Sequence, residues 1–442
     1  MKRTECSSPL LRETYVKLSH DSGLDIYLFP KKMTSVYALF AVRFGSLDNR
    51  FALNDGEREQ TLPDGVAHFL EHKLFDNADG SDAFSAFSAI GADANAYTTY
   101  NRTAYLFNCT SRFEEALEEL LSFVTRPYFT KATVQKEQGI IAEEIRMYED
   151  SPWERVYQNL LCALYHSHPV RNNICGTVES IKQITPELLY RAHALFYELS
   201  NMALVVCGDV SEEEILAVAD RVLPQKGGKR ERIRRLIPLE TDLPKERVIE
   251  ARMNVSKPIF NIGMKDDVLP ETPEERLRRD FAMTMLNELL FSQSGEFYSE
   301  LFEKGLITPS FSHGFSSAEG FGFNCISGES DTPEEVLERL WAYLETVKRT
   351  GLSDEDVERV RRVMYADEIR AYDSTEEIAN RLLSFVFEDV EMLSAPELIR
   401  SITKEELEEL LHSFYVRERC VLSVIRPLES RNTEQERNQI YE

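Results

Sequence analysis

The chain has 442 residues, 43% of them hydrophobic, and carries 51 basic against 76 acidic side chains for a formal charge of −25. That length exceeds one ordinary core and predicts two or three domains at about 100 to 200 residues each. The acidity, with no long Lys/Arg block, excludes nucleic acid and anionic membrane surfaces as partners.

The opening stretch, MKRTECSSPLLRETYVKLSH, has no apolar core of the kind a secretory signal needs. Nothing later approaches the roughly 20 apolar residues of a membrane span, so the expectation is a soluble, cytoplasmic protein. Seven cysteines, Cys6, Cys109, Cys162, Cys175, Cys207, Cys325 and Cys420, include no CxxC pair. Apolar neighbours, as in MALVVCGDV, predict buried thiols in a reducing compartment rather than a disulfide framework.

Further along, GLDIYLFPKKMTSVYALFAVRFGS is rich in β-branched and aromatic residues and broken by Pro30, which predicts two strands. A helix follows from about Asp64, with that carboxylate placed to cap it. Then come a strand pair in ANAYTTYNRTAYLFNCTS, a helix at RFEEALEELLSFV and a long helix from Thr133 to Tyr148. NMALVVCGDV is a buried strand ended by Gly208 and Asp209, and SEEEILAVADRVL opens with a Ser/Glu capping pattern. The polar, charged PQKGGKRERIRRL, from Pro224 to Leu236, predicts an interdomain linker.

Self-comparison shows a duplication. YLFNC at Tyr105 returns as FGFNC at Phe321, an offset of 216; FEEALEEL at Phe113 returns as PEEVLERL at Pro333, offset 220; EEIRMYED at Glu143 returns as DEIRAYDS at Asp367, offset 224. Offsets that grow slowly in one direction indicate a repeated unit with small insertions. The division is then residues 1–223, a linker over 224–250, and a second half over 251–442.

In GVAHFLEHKLF, His68, Glu71, His72 and Phe75 share one helix face. Two imidazoles one turn apart can supply two zinc ligands, with an acid beside them to handle a proton. HxxEH reverses the HExxH order and brings the same three groups to one point. The alternative is a pair of core histidines bonded to backbone carbonyls. The second copy argues against it: the matching window, MLNELLFS, keeps Glu288 against Glu71 but has Met285 and Leu289 for the histidines. The first half therefore carries the metal motif, and the second is degenerate. A catalytic zinc needs one more protein ligand. The helix VQKEQGIIAEEIRMYED offers Glu137 and Glu144, which share a face with Ile141 and Tyr148, flanked by Ile140 and Ile145; Glu143 falls on a solvated face.

HxxEH followed about 70 residues later by ExxxxxxE resembles the pattern of the pitrilysin, insulysin and mitochondrial processing peptidase family, the inverzincins. ANAYTTYNRTAY, HPVRNNICGTVESI and LSNMALVVCGDV are similar to further family stretches. The resemblance implies an α+β fold of two homologous α/β halves. Each is a mixed, mainly antiparallel sheet with helices packed on one face, and the two form a clam-like chamber. It implies that His68, His72 and Glu144 bind one Zn2+ per chain, that Glu71 is the catalytic base and that Glu137 is a supporting acid. It implies a peptide substrate that adds as a strand along Ala94, Asn95, Ala96, Tyr97 and Thr98.

One departure matters. The family carries an Arg and a Tyr seven residues apart in its second half, which help hold the substrate carbonyl. Here the matching stretch, LFEKGLITPSF, is one residue shorter and has Phe302 and Thr308 at those positions. This resembles the zinc-bearing subunit of bacterial paired-subunit enzymes, with a related partner supplying Arg and Tyr. The expected function is a zinc endopeptidase acting on peptides or unfolded segments. The competing readings are a non-catalytic scaffold of the same fold and a peptide-binding protein.

Overall fold

A computed structural model describes residues 2–53, 58–227 and 233–429. The first half runs β1 (Lys2–Ser8), β2 (Glu13–Ser19), β3 (Asp25–Pro30), β4 (Val36–Val42), β5 (Arg50–Leu53), β6 (Arg58–Thr61), α1 (Val66–Lys73), α2 (Ala83–Ala89), β7 (Asp93–Thr98) and β8 (Thr103–Cys109). It continues with α3 (Phe113–Thr125), α4 (Lys131–Asp150), α5 (Pro152–Leu164), α6 (Val178–Ile181), α7 (Pro186–Phe196), β9 (Met202–Gly208) and α8 (Glu212–Val222). After β10 (Ile233–Arg235) come β11 (Val248–Met253), β12 (Ile259–Lys265), α9 (Pro273–Phe291), α10 (Glu296–Glu303), β13 (Ser312–Ala318) and β14 (Phe321–Glu329). The chain ends with α11 (Pro333–Thr350), α12 (Asp354–Arg370), α13 (Thr375–Phe387), α14 (Ala395–Ser401), α15 (Lys404–Phe414) and β15 (Cys420–Pro427).

The duplication is visible in the sheets. The first has the order β1-β2-β3-β9-β4-β8-β7 and the second β11-β15-β12-β14-β13. Without the β1–β2 hairpin, the first matches the second strand for strand. Even the exceptional parallel pair recurs, β3 with β9 and β11 with β15, while their other neighbours are antiparallel. The hairpin itself was not foreseen, because KRTECSS is polar and mostly exposed along the edge.

The central strands of each sheet are buried on both faces, which explains the continuous apolar run VYALFAV in β4. Ala38, Phe40 and Val42 join the core under α3 and α8. Tyr37, Leu39 and Ala41 point the other way, against Ile378, Leu382 and Leu383 of α13 from the second half. Reciprocally, α5 of the first half packs on the second sheet. Its Leu160, Leu161 and Leu164 cluster with Phe321, Phe323 and Val421, and Gly263 of β12 lets Leu160 approach to 2.6 Å of where a Cβ would be. The halves thus exchange one helix each, and every such Leu or Ile contributes about 1.5–3 kcal/mol of burial. The family expectation of helices on one face is met within each half; the opposite face is covered by the other half.

In the stretch 224–250, the described residues from Ile233 on are fastened to both halves. Residues 228–232 lie outside the described residues, but Ile233–Arg235 pairs with β5. Glu240 accepts from the backbone N–H of Ser167 and His168 and ion-pairs with Lys265 at 2.9 Å. The second sheet begins with Val248, before the expected residue 251. The long helix begins at Lys131 behind a Thr130 cap rather than at Thr133, and Ile140, expected to flank its inner face, is exposed. Ser211 and Glu214 form the predicted capping box. None of the seven cysteines is paired, and no helix among the described residues is long and apolar enough to cross a membrane.

Candidate metal centre

The helix bearing HxxEH begins on a left-handed glycine. Gly65 has φ +89° and packs against Gly176, φ +78°; a Cβ on Gly65 would lie 2.4 Å from the Cys175 carbonyl oxygen, and one on Gly176 2.5 Å from that of Asp64. Only glycine fits either position. The expected cap is corrected here: Gly65 occupies the cap position with no side-chain cap bond. Asp64 instead accepts from Asn49 Nδ2 at 2.6 Å and Asn172 Nδ2 at 3.1 Å, which fastens the start of α1 to the 172–176 loop. Gly65→Ala is therefore expected to cost at least about 2 kcal/mol of stability, from the φ penalty plus overpacking against a rigid carbonyl. Urea denaturation checks this, and an unchanged midpoint would show the junction to be slack.

α1 presents His68, Glu71 and His72 toward α4, whose inner face carries Glu137, Ile141 and Glu144 (Ile141 fully buried). His68 Nε2 lies 3.6 Å from Glu144 Oε1, and His72 Nε2 lies 3.6 Å from Glu144 Oε2. The ligand atoms of His68, His72 and Glu144 all fall within 4.8 Å of one another. Ligands about 2.1 Å from a tetrahedral zinc are about 3.4 Å apart, so the spacing accepts that ion with small adjustments. Glu144 Oε2 is buried without a hydrogen-bond partner, a costly state that a cation would relieve. The donor set of two imidazoles and one carboxylate, with an open side, fits a catalytic zinc.

Behind His72, Nδ1 meets Glu137 Oε1 at 3.0 Å, the carboxylate–histidine arrangement that fixes a ligating tautomer. Burial pushes His68 down to about 3, aided by the charge of His72, so it is neutral and its lone pair is free. Burial also acts to lower His72, but Glu137, Glu71 and Glu144 outweigh it and its pKa is raised. Glu71 is raised by burial, against the opposing hydrogen bond from Thr98. That bond, Thr98 Oγ1 donating to Glu71 Oε2 at 2.5 Å, joins the acid to β7.

A cavity of about 460 Å³ opens on these groups, lined among others by His68, Glu71, His72, Glu144, Ala96, Tyr97 and Thr98. Of the five strand residues singled out, Ala94 and Asn95 do not reach it. Ala94 packs on the core, and Asn95 bonds the backbone N–H of Ala96 at 2.9 Å. Among the described residues β7 is the last strand of its sheet and pairs only with β8, so no strand covers its other edge there. Tyr148, expected on the same face of α4 as Glu144, also lines the cavity, as do Tyr157, Asn172, Asn173 and Cys175, which the spacing of the motif did not indicate. The polar cluster RNNIC was the available signal. Cys175 Sγ lies 3.7 Å from His68 Nε2, its thiol pushed up to about 12 by burial. Phe302 is exposed on α10, stacked on Tyr298, and Thr308 donates to Glu329 at 3.1 Å; neither lines the cavity.

Comparison with known proteins identifies the relatives of this chain. The family model for insulinase, peptidase family M16, matches residues 56–178, and that for the peptidase M16 inactive domain matches residues 183–364. The uncharacterized zinc protease YmfH of Bacillus subtilis is 38% identical over 424 residues, spanning 94% of this chain and 97% of its own. The crystal structure of an M16-like peptidase from Alicyclobacillus acidocaldarius superposes with a TM-score of 0.90 at 32% identity, covering 96% of this chain and 100% of that one. A Helicobacter pylori protease shares the fold at 17% identity, with a TM-score of 0.80 over 94% of this chain and 100% of that one. A match of this identity along nearly the whole length, on a chain whose two halves both meet M16 models, shows that the protein belongs to the M16 (insulinase) peptidase family.

Proposed function

We propose that the chain is a cytoplasmic zinc endopeptidase that hydrolyses peptides or unfolded segments, acting as the zinc-bearing, catalytic subunit of a heterodimer. The observation that carries this is the convergence of His68, His72 and Glu144 on one point, with Glu71 beside it in the same cavity. A scaffold has no use for that set. The unpaired cysteines support a reducing compartment.

When bound, Zn2+ polarises the scissile carbonyl and acidifies the attacking water. His68, His72 and Glu144 would hold it. Glu71, raised in pKa by burial and oriented by Thr98, accepts the water's proton and delivers it to the leaving amine. Ala96, Tyr97 and Thr98 on the outer edge of β7 pair with the substrate backbone, which reads side chains only alternately and leaves sequence preference broad. Glu137 orients His72 from behind. With Phe302 and Thr308 in place of the family's Arg and Tyr, donors for the developing oxyanion come in this reading from a related partner subunit.

Metal analysis and peptide cleavage test the reading together. The expected result is one Zn2+ per chain and cleavage lost on chelation and restored by zinc. With the related subunit added, kcat/KM is expected to rise about 100-fold or more, the usual worth of an oxyanion donor. Cleavage indifferent to chelation overturns the zinc mechanism, and full activity of the isolated chain overturns the heterodimer.

A further inference from the structure

We infer that Lys73 is a positioning residue of the metal centre: its buried ammonium anchors Glu137 and, through Glu137, holds His72 with Nε2 aimed at the ligand point. The inference rests on the metal-centre reading above.

Lys73 directly follows the HxxEH motif, and its side chain is 1% exposed. An ammonium so deeply buried needs compensating partners, carboxylates above all. It faces two, Asp76, three residues past the end of α1, and Glu137 Oε2 on α4 at an ion-pair distance of 3.9 Å. Glu137 uses its other oxygen, Oε1, on His72 Nδ1 at 3.0 Å. A carboxylate bonded through one oxygen alone can swing about its side-chain torsions. With one oxygen bonded to His72 and the ammonium's charge facing the other at ion-pair distance, that swing is opposed and the plane of the imidazole is held; with Nδ1 engaged the remaining ring nitrogen, Nε2, faces Glu144 at 3.6 Å. The sequence Lys73, Glu137, His72 is thus a brace running from the end of one helix, across the second, and back to the ligand.

The duplicated half supplies an internal control. Met285 and Leu289 stand where the histidines do, Leu290 stands at the position of Lys73, and Arg361 at that of Glu137. Arg361 pairs with Glu358 of its own helix at 2.5 Å. Glu368, the counterpart of Glu144, is paired with Arg381. The lysine and its glutamate have therefore been replaced along with the histidines. Leu290 is 1% exposed in a well-packed core, so this helix packs with an apolar residue at that position and the fold does not call for a lysine. A buried lysine costs desolvation wherever it is placed, and at this helix position it occurs only in the half that carries the ligands, Leu290 standing there in the other.

The test is Zn2+ affinity of the full chain, measured by competition with a chromophoric chelator for the wild type, Lys73→Met, Glu137→Gln and the double variant. Each single change is expected to weaken Zn2+ binding about 10- to 100-fold, the usual effect of removing a ligand's outer partner. The double variant is expected to match Glu137→Gln within about threefold, because the lysine acts only through the glutamate. The visible absorption of bound Co2+ should change in Lys73→Met as the His72 ligand loosens. Zn2+ binding by Lys73→Met within threefold of wild type overturns the inference, and so does an equal loss in the Glu137→Gln background. Lys73→Leu, the residue of the other half, is the second apolar variant. Failure of both to fold with zinc present also overturns it, since the lysine would then serve the helix itself. A wild-type chain that binds no zinc overturns instead the metal-centre reading.

Discussion

Glu71→Gln is expected to lower kcat for peptide hydrolysis about 1000-fold, equivalent to about 4 kcal/mol of barrier, while zinc content and peptide affinity stay at wild-type levels. Glutamine keeps the shape of the side chain and an oxygen to accept from Thr98 Oγ1, which now holds Glu71 at 2.5 Å. What it removes is the ability to take a proton. The three groups within 4.8 Å of one another, His68, His72 and Glu144, do not include Glu71, so the ion should be retained. Three measurements on one variant make the result specific. Activity within tenfold of wild type would place the base elsewhere, and loss of zinc would make Glu71 a ligand. A parallel loss of peptide binding would mean that Thr98 and β7 depend on the charge.

The second large effect is on stability in mild acid. His168 is fully buried, and its Nδ1 accepts from the Val170 N–H at 3.1 Å. His193 is buried with Nε2 on the Val124 carbonyl at 2.9 Å. Burial pushes both imidazoles down to about 4. In the unfolded chain each takes its proton near pH 6.5, so between pH 6.5 and 4 the unfolded state binds more protons than the folded one. Their contribution is complete above pH 6.5 and falls as the pH drops toward 4. Two such groups give a slope approaching about 2.5 kcal/mol per pH unit near pH 5. Urea melts of the zinc-loaded protein at pH 7, 6 and 5 read it as the difference in slope between wild type and His168→Gln, about 1.2 kcal/mol per unit near pH 5, since Asp280, raised to about 6 by burial, opposes the histidines in the total. A difference below about 0.5 kcal/mol per unit would mean that water or a partner group already stabilises the charged imidazole.

Much of the centre was legible in the chain because helical periodicity is local. His68, Glu71 and His72 fall on one face of α1 from spacing alone, as do Glu137, Ile141 and Glu144 on α4, and the structure keeps both faces. The repeat was legible for a related reason: a duplicated unit keeps its offsets even where its chemistry has gone. The two sheets then follow one order. Expectations that depended on direction rather than periodicity fared less well. Asp64 is the residue type that caps helices, but Asn49 and Asn172 converge on it and Gly65 takes the cap. Ala94 and Asn95 share the strand with Ala96, Tyr97 and Thr98 yet miss the cavity, because it opens only on the later end of β7, where Thr98 meets Glu71.

By itself the sequence determined the metal-type motif, the helix that bears it and the two candidate acids, set by residue type and short-range spacing, and the two-part architecture, set by the internal repeat. The tertiary structure decided which acid meets which nitrogen. How α1 crosses α4 brings Glu144 to the Nε2 side of both histidines and Glu137 to the Nδ1 side of His72, with Lys73 behind it. It also decided that α5 and α13 change places between the halves. Both are matters of the distance and angle between elements far apart in the chain, which local periodicity does not encode and side-chain packing does.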